Sequence, residues 1–180
     1  MANFEYAFNK ILFYEGNYSN EPFDKGGETK YGITKNTAKN YGYFGDIKNL
    51  TIEDAKNIYK SLYWNILNLD LVNDDKIATE IFDISVNCGT YKAGLLTQKA
   101  LNIINKNQSL WKDIKEDGII GTQTITILNN LSNNDKNAFI KTLNGLQFMY
   151  YYDITKNNPI NEYFFRGWIK RTWLLLYFNI

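Results

Sequence analysis

Apolar side chains recur every three or four residues along most of the chain, which is the spacing of amphipathic helices. In the first such segment, residues 3–14, one face carries Phe4, Ala7, Phe8, Ile11 and Leu12. The same spacing predicts further helices over residues 76–86, 91–104, 135–154 and 161–178. The pattern therefore favours a chain built mainly from helices.

Capping residues indicate where two shorter helices begin. Thr34 is placed to cap a short helix that runs through Tyr41. Thr51 is followed three residues later by Asp54, which is typical of a capping box. This second helix is predicted to run to about Trp64.

The segment FYEGNYSNEPFDKGGETKYGIT, residues 13–34, interrupts the helical pattern. It is rich in glycine and polar residues, which are typical of turns. DKGGET is predicted to form the tip of a tight connection, and KYGIT a short strand. A small irregular hairpin after the first helix is expected to be the sheet of the protein.

These elements predict an α+β fold that is predominantly α-helical. The chain has 180 residues, enough for one compact domain or for two small lobes that share a core. We place a soft boundary near residue 90, which separates a region 1–90 from a helical region 91–180 packed on it as one compact unit.

Composition excludes several kinds of chemistry. The chain contains no histidine, which excludes a Ser-His-Asp triad and a histidine-ligated zinc site. One cysteine, Cys88, excludes an internal disulfide, and we expect it to be a buried thiol. The formal net charge of +1 argues against a nucleic-acid binder. No metal or other cofactor is expected, so carboxyl groups are the candidate proton carriers.

Two carboxylic residues in the turn-rich segment form the candidate catalytic pair. Glu15 follows the first helix, where the negative end of the helix dipole and apolar neighbours would raise its pKa. Asp24 lies in a polar, glycine-rich stretch that favours an ionised carboxylate. Two carboxyl groups with divergent pKa values are what glycosidic bond cleavage requires. Thr29 could orient a water, whereas an ordinary turn role for Asp24 stays open.

Several motifs, in the same order along nearly the whole chain, resemble the glycoside hydrolase 108 family of N-acetylmuramidases. The N-terminal match is FYEGNYSNEPFDKGGETKYGIT, in which Asn17 replaces the second glycine of the family's E-G-G-Y element. LYWN and FDISVNCG resemble the family's central helices. DGIIGTQT resembles its C-terminal predicted peptidoglycan-binding region, and FRGWIKR resembles its closing Gly-Trp-x-x-Arg segment.

The resemblance implies a lysozyme-like fold with a small β-hairpin after the first helix and a C-terminal helical lobe. It implies a lysozyme that cleaves the β-1,4 bond between N-acetylmuramic acid and N-acetylglucosamine, with Glu15 as the principal acid. Asp24 would be the second carboxylate, although Glu28 or Glu21 could replace it. A lytic transglycosylase that uses Glu15 alone, and a non-catalytic wall-binding or phage structural protein, remain alternatives.

Three further residues are candidate sugar contacts, each with a structural alternative. Tyr18 lies beside the predicted acid in a polar loop, which favours a substrate contact. Asn87 could contact a sugar or cap its helix near Gly89. Trp64 could stack on a sugar, but its place in an apolar helical pattern favours core packing.

The expected partner is the glycan strand of bacterial peptidoglycan, and we expect a monomer with no nucleic acid and no stable membrane insertion. The N-terminus lacks the uninterrupted apolar stretch of a conventional signal peptide. Synthesis in the cytoplasm is therefore expected, followed by action on the cell wall after release by a holin, dedicated secretion or lysis. A role as a bacteriolytic phage endolysin, a role in wall remodelling and a role in attack on competing cells all fit this route.

Overall fold

A computed structural model describes residues 1–14, 18–19 and 27–172. Eight α-helices dominate these residues, which confirms the predicted α-rich α+β class. Their bounds are α1 Phe4–Tyr14, α2 Lys35–Tyr41, α3 Ile52–Tyr59, α4 Asp75–Cys88, α5 Thr90–Ile104, α6 Thr122–Asn130, α7 Asn133–Asn157 and α8 Glu162–Arg171. None of the described helices is long and apolar enough to span a membrane.

Short helical turns complete the pattern. A π-helical turn, Lys60–Trp64, extends α3 to the residue where the sequence predicted its end. Turns of 3-10 helix lie at Ile47–Asn49, Leu69–Leu71 and Pro159–Asn161. The last predicted helix, 161–178, is helical from Glu162 to Arg171, and residues 173–178 of that prediction lie outside the described residues.

Three two-residue strands, β1 Tyr18–Ser19, β2 Thr29–Lys30 and β3 Ile33–Thr34, form an antiparallel sheet in that order. The prediction that KYGIT forms one strand is wrong. Tyr31 and Gly32 have φ angles of 52° and 75°, so the chain reverses between β2 and β3. Positive φ at both central residues suits the right-handed twist of a hairpin.

Both predicted caps are present. The Thr34 hydroxyl accepts a hydrogen bond from the backbone N–H of Thr37 at the start of α2. At the start of α3, Thr51 and Asp54 exchange side-chain and backbone hydrogen bonds in a capping box. These bonds satisfy N–H groups that have no partner inside a helix, which is why the sequence signals were reliable.

The core centres on aromatic side chains from α1, α3 and α4. Trp64 and Phe82 have ring centroids 5.4 Å apart in an edge-to-face arrangement, and Phe4 lies 5.3 Å from Trp64. The same hydrophobic cluster continues through buried residues of α5 and α7, including Leu101 and Phe139. The N-terminal and C-terminal halves of the described chain therefore share one hydrophobic cluster.

The connection between α5 and α6 is held by side-chain amides of α5. Gln98 accepts a hydrogen bond from the Gly118 N–H at 2.7 Å and donates to Asp117 and to the Ile119 carbonyl at 2.8 and 3.0 Å. This places the DGIIG segment directly against the α5 backbone. A Cβ on Gly94 would lie only 2.0 Å from the Gly118 carbonyl oxygen.

Candidate functional site

The candidate site is built on the hairpin. Its middle strand β2 carries Thr29, and the neighbouring strand β1 carries Tyr18, whose Cα pairs with that of Lys30. The Thr29 hydroxyl donates to the Gly27 carbonyl at 3.1 Å. The sheet thus brings two of the sequence-predicted residues, Tyr18 and Thr29, onto adjacent strands.

Glu28 lies at the centre of a polar cluster on this hairpin and contacts its other members. The Tyr18 hydroxyl donates to Glu28 Oε1 at 3.1 Å. Lys35 Nζ lies 3.3 Å from Oε2, and Lys48 Nζ lies 4.0 Å from Oε1. With 24% of its side chain exposed, Glu28 is partly shielded from water and faces two cations. Both of its oxygens are therefore engaged within the protein.

The Tyr18 ring also belongs to this cluster. Lys48 Nζ lies 5.9 Å from the Tyr18 ring centroid. Partial desolvation, the hydrogen bond to Glu28 and the charges of Glu28 and Asp46 raise the pKa of the Tyr18 phenol, and Lys48 opposes them. The phenol is therefore a neutral hydroxyl at physiological pH, and its ring remains 40% exposed. A neutral hydroxyl on an exposed ring is suited to contact a sugar.

The two predicted catalytic carboxyl residues, Glu15 and Asp24, lie outside the described residues, as does Glu21. What the structure describes are the elements on either side of them in sequence: α1 up to Tyr14, strand β1, and the hairpin from Gly27 onward. Their roles stay predictions from the sequence.

The suggestion that Trp64 stacks on a sugar is not supported, because its side chain is fully buried. Its indole N–H donates to Asp70 Oδ1 at 2.7 Å. The ring therefore packs in the core, and its nitrogen is hydrogen-bonded within the protein. The alternative reading, core packing, describes Trp64 correctly. Burial of this ring depends on Phe4 and Phe82 from other helices, which local sequence does not reveal.

Asn87 lies near the C-terminal end of α4 and is partly exposed. Its side-chain amide donates to the Asp83 carbonyl at 2.7 Å, one turn back in the same helix. This bond fixes the side chain against α4. A contact between Asn87 and a sugar stays a prediction.

Sequence reasoning missed the two lysines around Glu28. Lys35 begins α2 and Lys48 lies in the 3-10 turn after it, so only tertiary packing joins them to the hairpin. A second group that it missed is Glu80, a carboxyl on α4 that is only 3% exposed. The available sequence signal was its spacing, because Glu80 lies three residues after Ile77 and four before Ile84, on the apolar face of that helix.

Comparison with known proteins agrees with this architecture. A family model described as Glycosyl hydrolase 108 matches residues 8–89, and one described as Predicted Peptidoglycan domain matches residues 92–173. The predicted resemblance to the glycosyl hydrolase 108 family is confirmed. We call these two parts the glycosyl hydrolase 108 region and the peptidoglycan region. Together they indicate a peptidoglycan-active glycoside hydrolase that acts on the cell wall.

The fold is shared with a solved structure, that of Brucella abortus SagA. The two have a TM-score of 0.75 at 24% sequence identity, and the match covers 96% of this chain and 90% of that chain. At this identity the likeness shows the lysozyme-like, mostly helical fold. No curated protein sequence matches the chain.

Proposed function

We propose that this protein is an N-acetylmuramidase that hydrolyses the β-1,4 bond between N-acetylmuramic acid and N-acetylglucosamine in peptidoglycan. The observation that carries the proposal is the match of residues 8–89 to the glycosyl hydrolase 108 family, which includes Glu15 and the hairpin. The match of residues 92–173 to a peptidoglycan domain supports the same substrate.

In this proposal Glu15 is the general acid that protonates the leaving-group oxygen of the glycosidic bond. Helix α1 spans Phe4–Tyr14, and Glu15 is the next residue in the sequence. A carboxyl group near the C-terminal end of a helix stays protonated to higher pH, because the helix dipole is negative there. The donor must hold its proton near neutrality for this reaction.

The Glu28 cluster favours Asp24 over Glu28 as the second carboxylate. A carboxylate that acts as a general base needs a lone pair directed at the attacking water. A carboxylate that acts as a nucleophile needs a lone pair directed at the sugar. Glu28 instead accepts a hydrogen bond from Tyr18 and pairs with two lysines. We therefore propose that Glu28 holds the Tyr18 phenol in place, so that the phenol oxygen can accept a hydrogen bond from a sugar hydroxyl. Asp24 would activate water or stabilise positive charge.

The proposal is tested by replacing Glu15 with glutamine and measuring new reducing ends released from purified peptidoglycan. The variant keeps the size and hydrogen-bonding capacity of the side chain but cannot donate the proton. We expect activity to fall by about 10²–10⁴-fold, the range attributed to general acid catalysis. The melting temperature should not change.

Glu53→Gln is the matched control, because the Glu53 side chain is 71% exposed on α3, and it should keep full activity. Full activity in Glu15→Gln would contradict the assignment. Products that end in anhydro-muramic acid would identify a lytic transglycosylase instead. Tight binding of the unaltered protein to peptidoglycan with neither new reducing ends nor anhydro-muramic ends would identify a non-catalytic wall-binding protein.

A further inference from the structure

Phe44 is one of the two most exposed aromatic residues that the structure describes. Its side chain is 82% exposed in the turn between α2 and the 3-10 turn Ile47–Asn49. Leaving a phenylalanine in water forgoes the stabilisation that burial would provide. Single exposed apolar side chains are common on protein surfaces, so the exposure of Phe44 gains meaning only from where its loop lies.

The loop around Phe44 is held from both sides. The Tyr43 N–H donates to the Ala38 carbonyl at 2.9 Å, and the Tyr43 hydroxyl donates to the Asp46 carbonyl at 3.2 Å. Tyr43 packs against the core, and Ile47 is buried. A Cβ on Gly45 would lie 2.8 Å from the Tyr43 ring, so the loop closes tightly there. Anchored neighbours hold Phe44 outward.

The same loop is joined to the candidate site. Asp46 accepts a hydrogen bond from the Lys48 N–H at 3.0 Å, and Lys30 of β2 donates to the Lys48 carbonyl at 2.5 Å. Lys48 in turn lies over the Tyr18 ring. Phe44 is four residues from Lys48, so chain geometry keeps their Cα atoms within roughly 14 Å. A glycan strand that lies along the hairpin can reach both rings.

We infer that Phe44 stacks against the apolar face of a pyranose ring in the glycan strand, at a subsite beyond the sugars between which the bond is cleaved. The inference rests on the proposed function and extends it. A pyranose presents a small face of C–H groups, which the negative face of an aromatic ring attracts, and a rim of hydroxyl groups that stay in water.

The surroundings of Phe44 fit a sugar better than a protein partner. Glycines flank the loop at Gly42 and Gly45, and the exposed residues Lys39, Asn40 and Asp46 make its neighbourhood polar. A stable protein interface needs an apolar centre surrounded by a much larger contact area. Tyr41, at the end of α2, is a second exposed aromatic residue nearby at 41%, and Phe44 itself offers one small apolar face within a polar surface, which matches a ligand with one small apolar face.

The test measures binding of long glycan strands, stripped of their peptides, by variants made in the Glu15→Gln background so that the ligand is not consumed. We expect Phe44→Ala to bind about tenfold more weakly and Phe44→Leu to lose nearly as much. Phe44→Trp should bind as tightly as the parent. Tyr6→Ala is the control, since it removes a partly exposed aromatic side chain of α1 that lies outside both family matches, and it should leave binding unchanged.

Two results would overturn the inference. One is unchanged glycan binding by Phe44→Ala, or by Phe44→Leu, which would show that the ring makes no contact with the strand. The other is a loss of self-association in Phe44→Ala with glycan binding intact, which sedimentation would detect and which would assign the ring to a second copy of the chain. The glycan-binding measurement tests the inference whether or not the unaltered protein cleaves peptidoglycan. A failure of the unaltered protein to release reducing ends would count only against the proposed function.

Discussion

Glu80 has a carboxyl group in the protein interior, where an ionised carboxylate is unfavourable because it is removed from water. It lies on α4, is 3% exposed, and is hydrogen-bonded to Asn144 of α7. Burial raises its pKa well above the usual value of 4.5, and the charge of Asp83 adds to this, whereas Asn144 and Lys10 of α1 oppose it. The folded protein therefore favours the neutral acid, which joins two helices without a buried charge.

We predict that this group makes the protein less stable as pH rises. Its folded pKa lies above its unfolded pKa, so its stabilising effect is complete below pH 4.5 and is lost as pH rises through the folded pKa. Glu80→Gln stays neutral at every pH and should remove a slope of at most about 1.4 kcal/mol per pH unit. Denaturant unfolding at a series of pH values above 4.5 measures the difference.

Glu53→Gln serves as the control for this measurement too, because an exposed carboxyl group should leave the pH dependence of unfolding nearly unchanged. A Glu80→Gln variant whose free energy of unfolding follows pH as steeply as that of the unaltered protein would show that Glu80 does not titrate in this range.

At the scale of elements, the tight contact between α5 and the DGIIG segment depends on two glycines. Gly118 has a φ angle of 76°. Its carbonyl oxygen lies only 2.0 Å from the position that a Cβ on Gly94 would take. A real Cβ cannot approach backbone that closely. The hydrogen bonds of Gln98 to the same segment would also be displaced.

We predict that Gly94→Ala destabilises the protein by about 1–3 kcal/mol or more, the range for an overpacked interior, even though alanine is the better helix former. Gly145→Ala is the matched substitution, because Gly145 lies within α7 and its Cβ would contact nothing within 4 Å. That variant should gain up to about 1 kcal/mol. Equal changes in the two melting temperatures would contradict the packing argument.

At the scale of the whole molecule, the two family regions are tied together by hydrogen bonds as well as by the core. Asn129 donates to the Leu71 carbonyl at 2.9 Å and accepts from the Asn73 N–H at 2.8 Å. Lys136 of α7 pairs with Asp74, the N-cap of α4, at 2.9 Å. Each bond joins the glycosyl hydrolase 108 region to the peptidoglycan region.

We predict that the protein unfolds in one cooperative transition, because neither region can lose its structure without exposing the shared core. Calorimetry should give equal calorimetric and van't Hoff enthalpies, and far-ultraviolet dichroism should melt together with aromatic fluorescence. Two separated transitions, with one region folded while the other is lost, would contradict the prediction and would define two independent domains.

Most helices were predictable because their signals are local. The caps at Thr34 and Thr51 and the apolar spacing of α1 act over one helical turn, so neighbouring residues contain the information. The KYGIT prediction was wrong for a related reason. Its β-forming residues favour a strand, but the reversal at Tyr31 depends on pairing with β1 and β3, which alternation alone does not show.

The sequence by itself determined the helical class, the positions of the two caps and the resemblance to the glycosyl hydrolase 108 family, and it predicts the candidate carboxyl pair. Tertiary structure alone decided that Phe4 and Phe82 enclose Trp64, that Glu28 is paired with Lys35 and Lys48, and that Phe44 remains in water. The physical reason is range: helix signals depend on residues three or four apart, whereas burial and ion pairing depend on which distant segments the folded chain brings together.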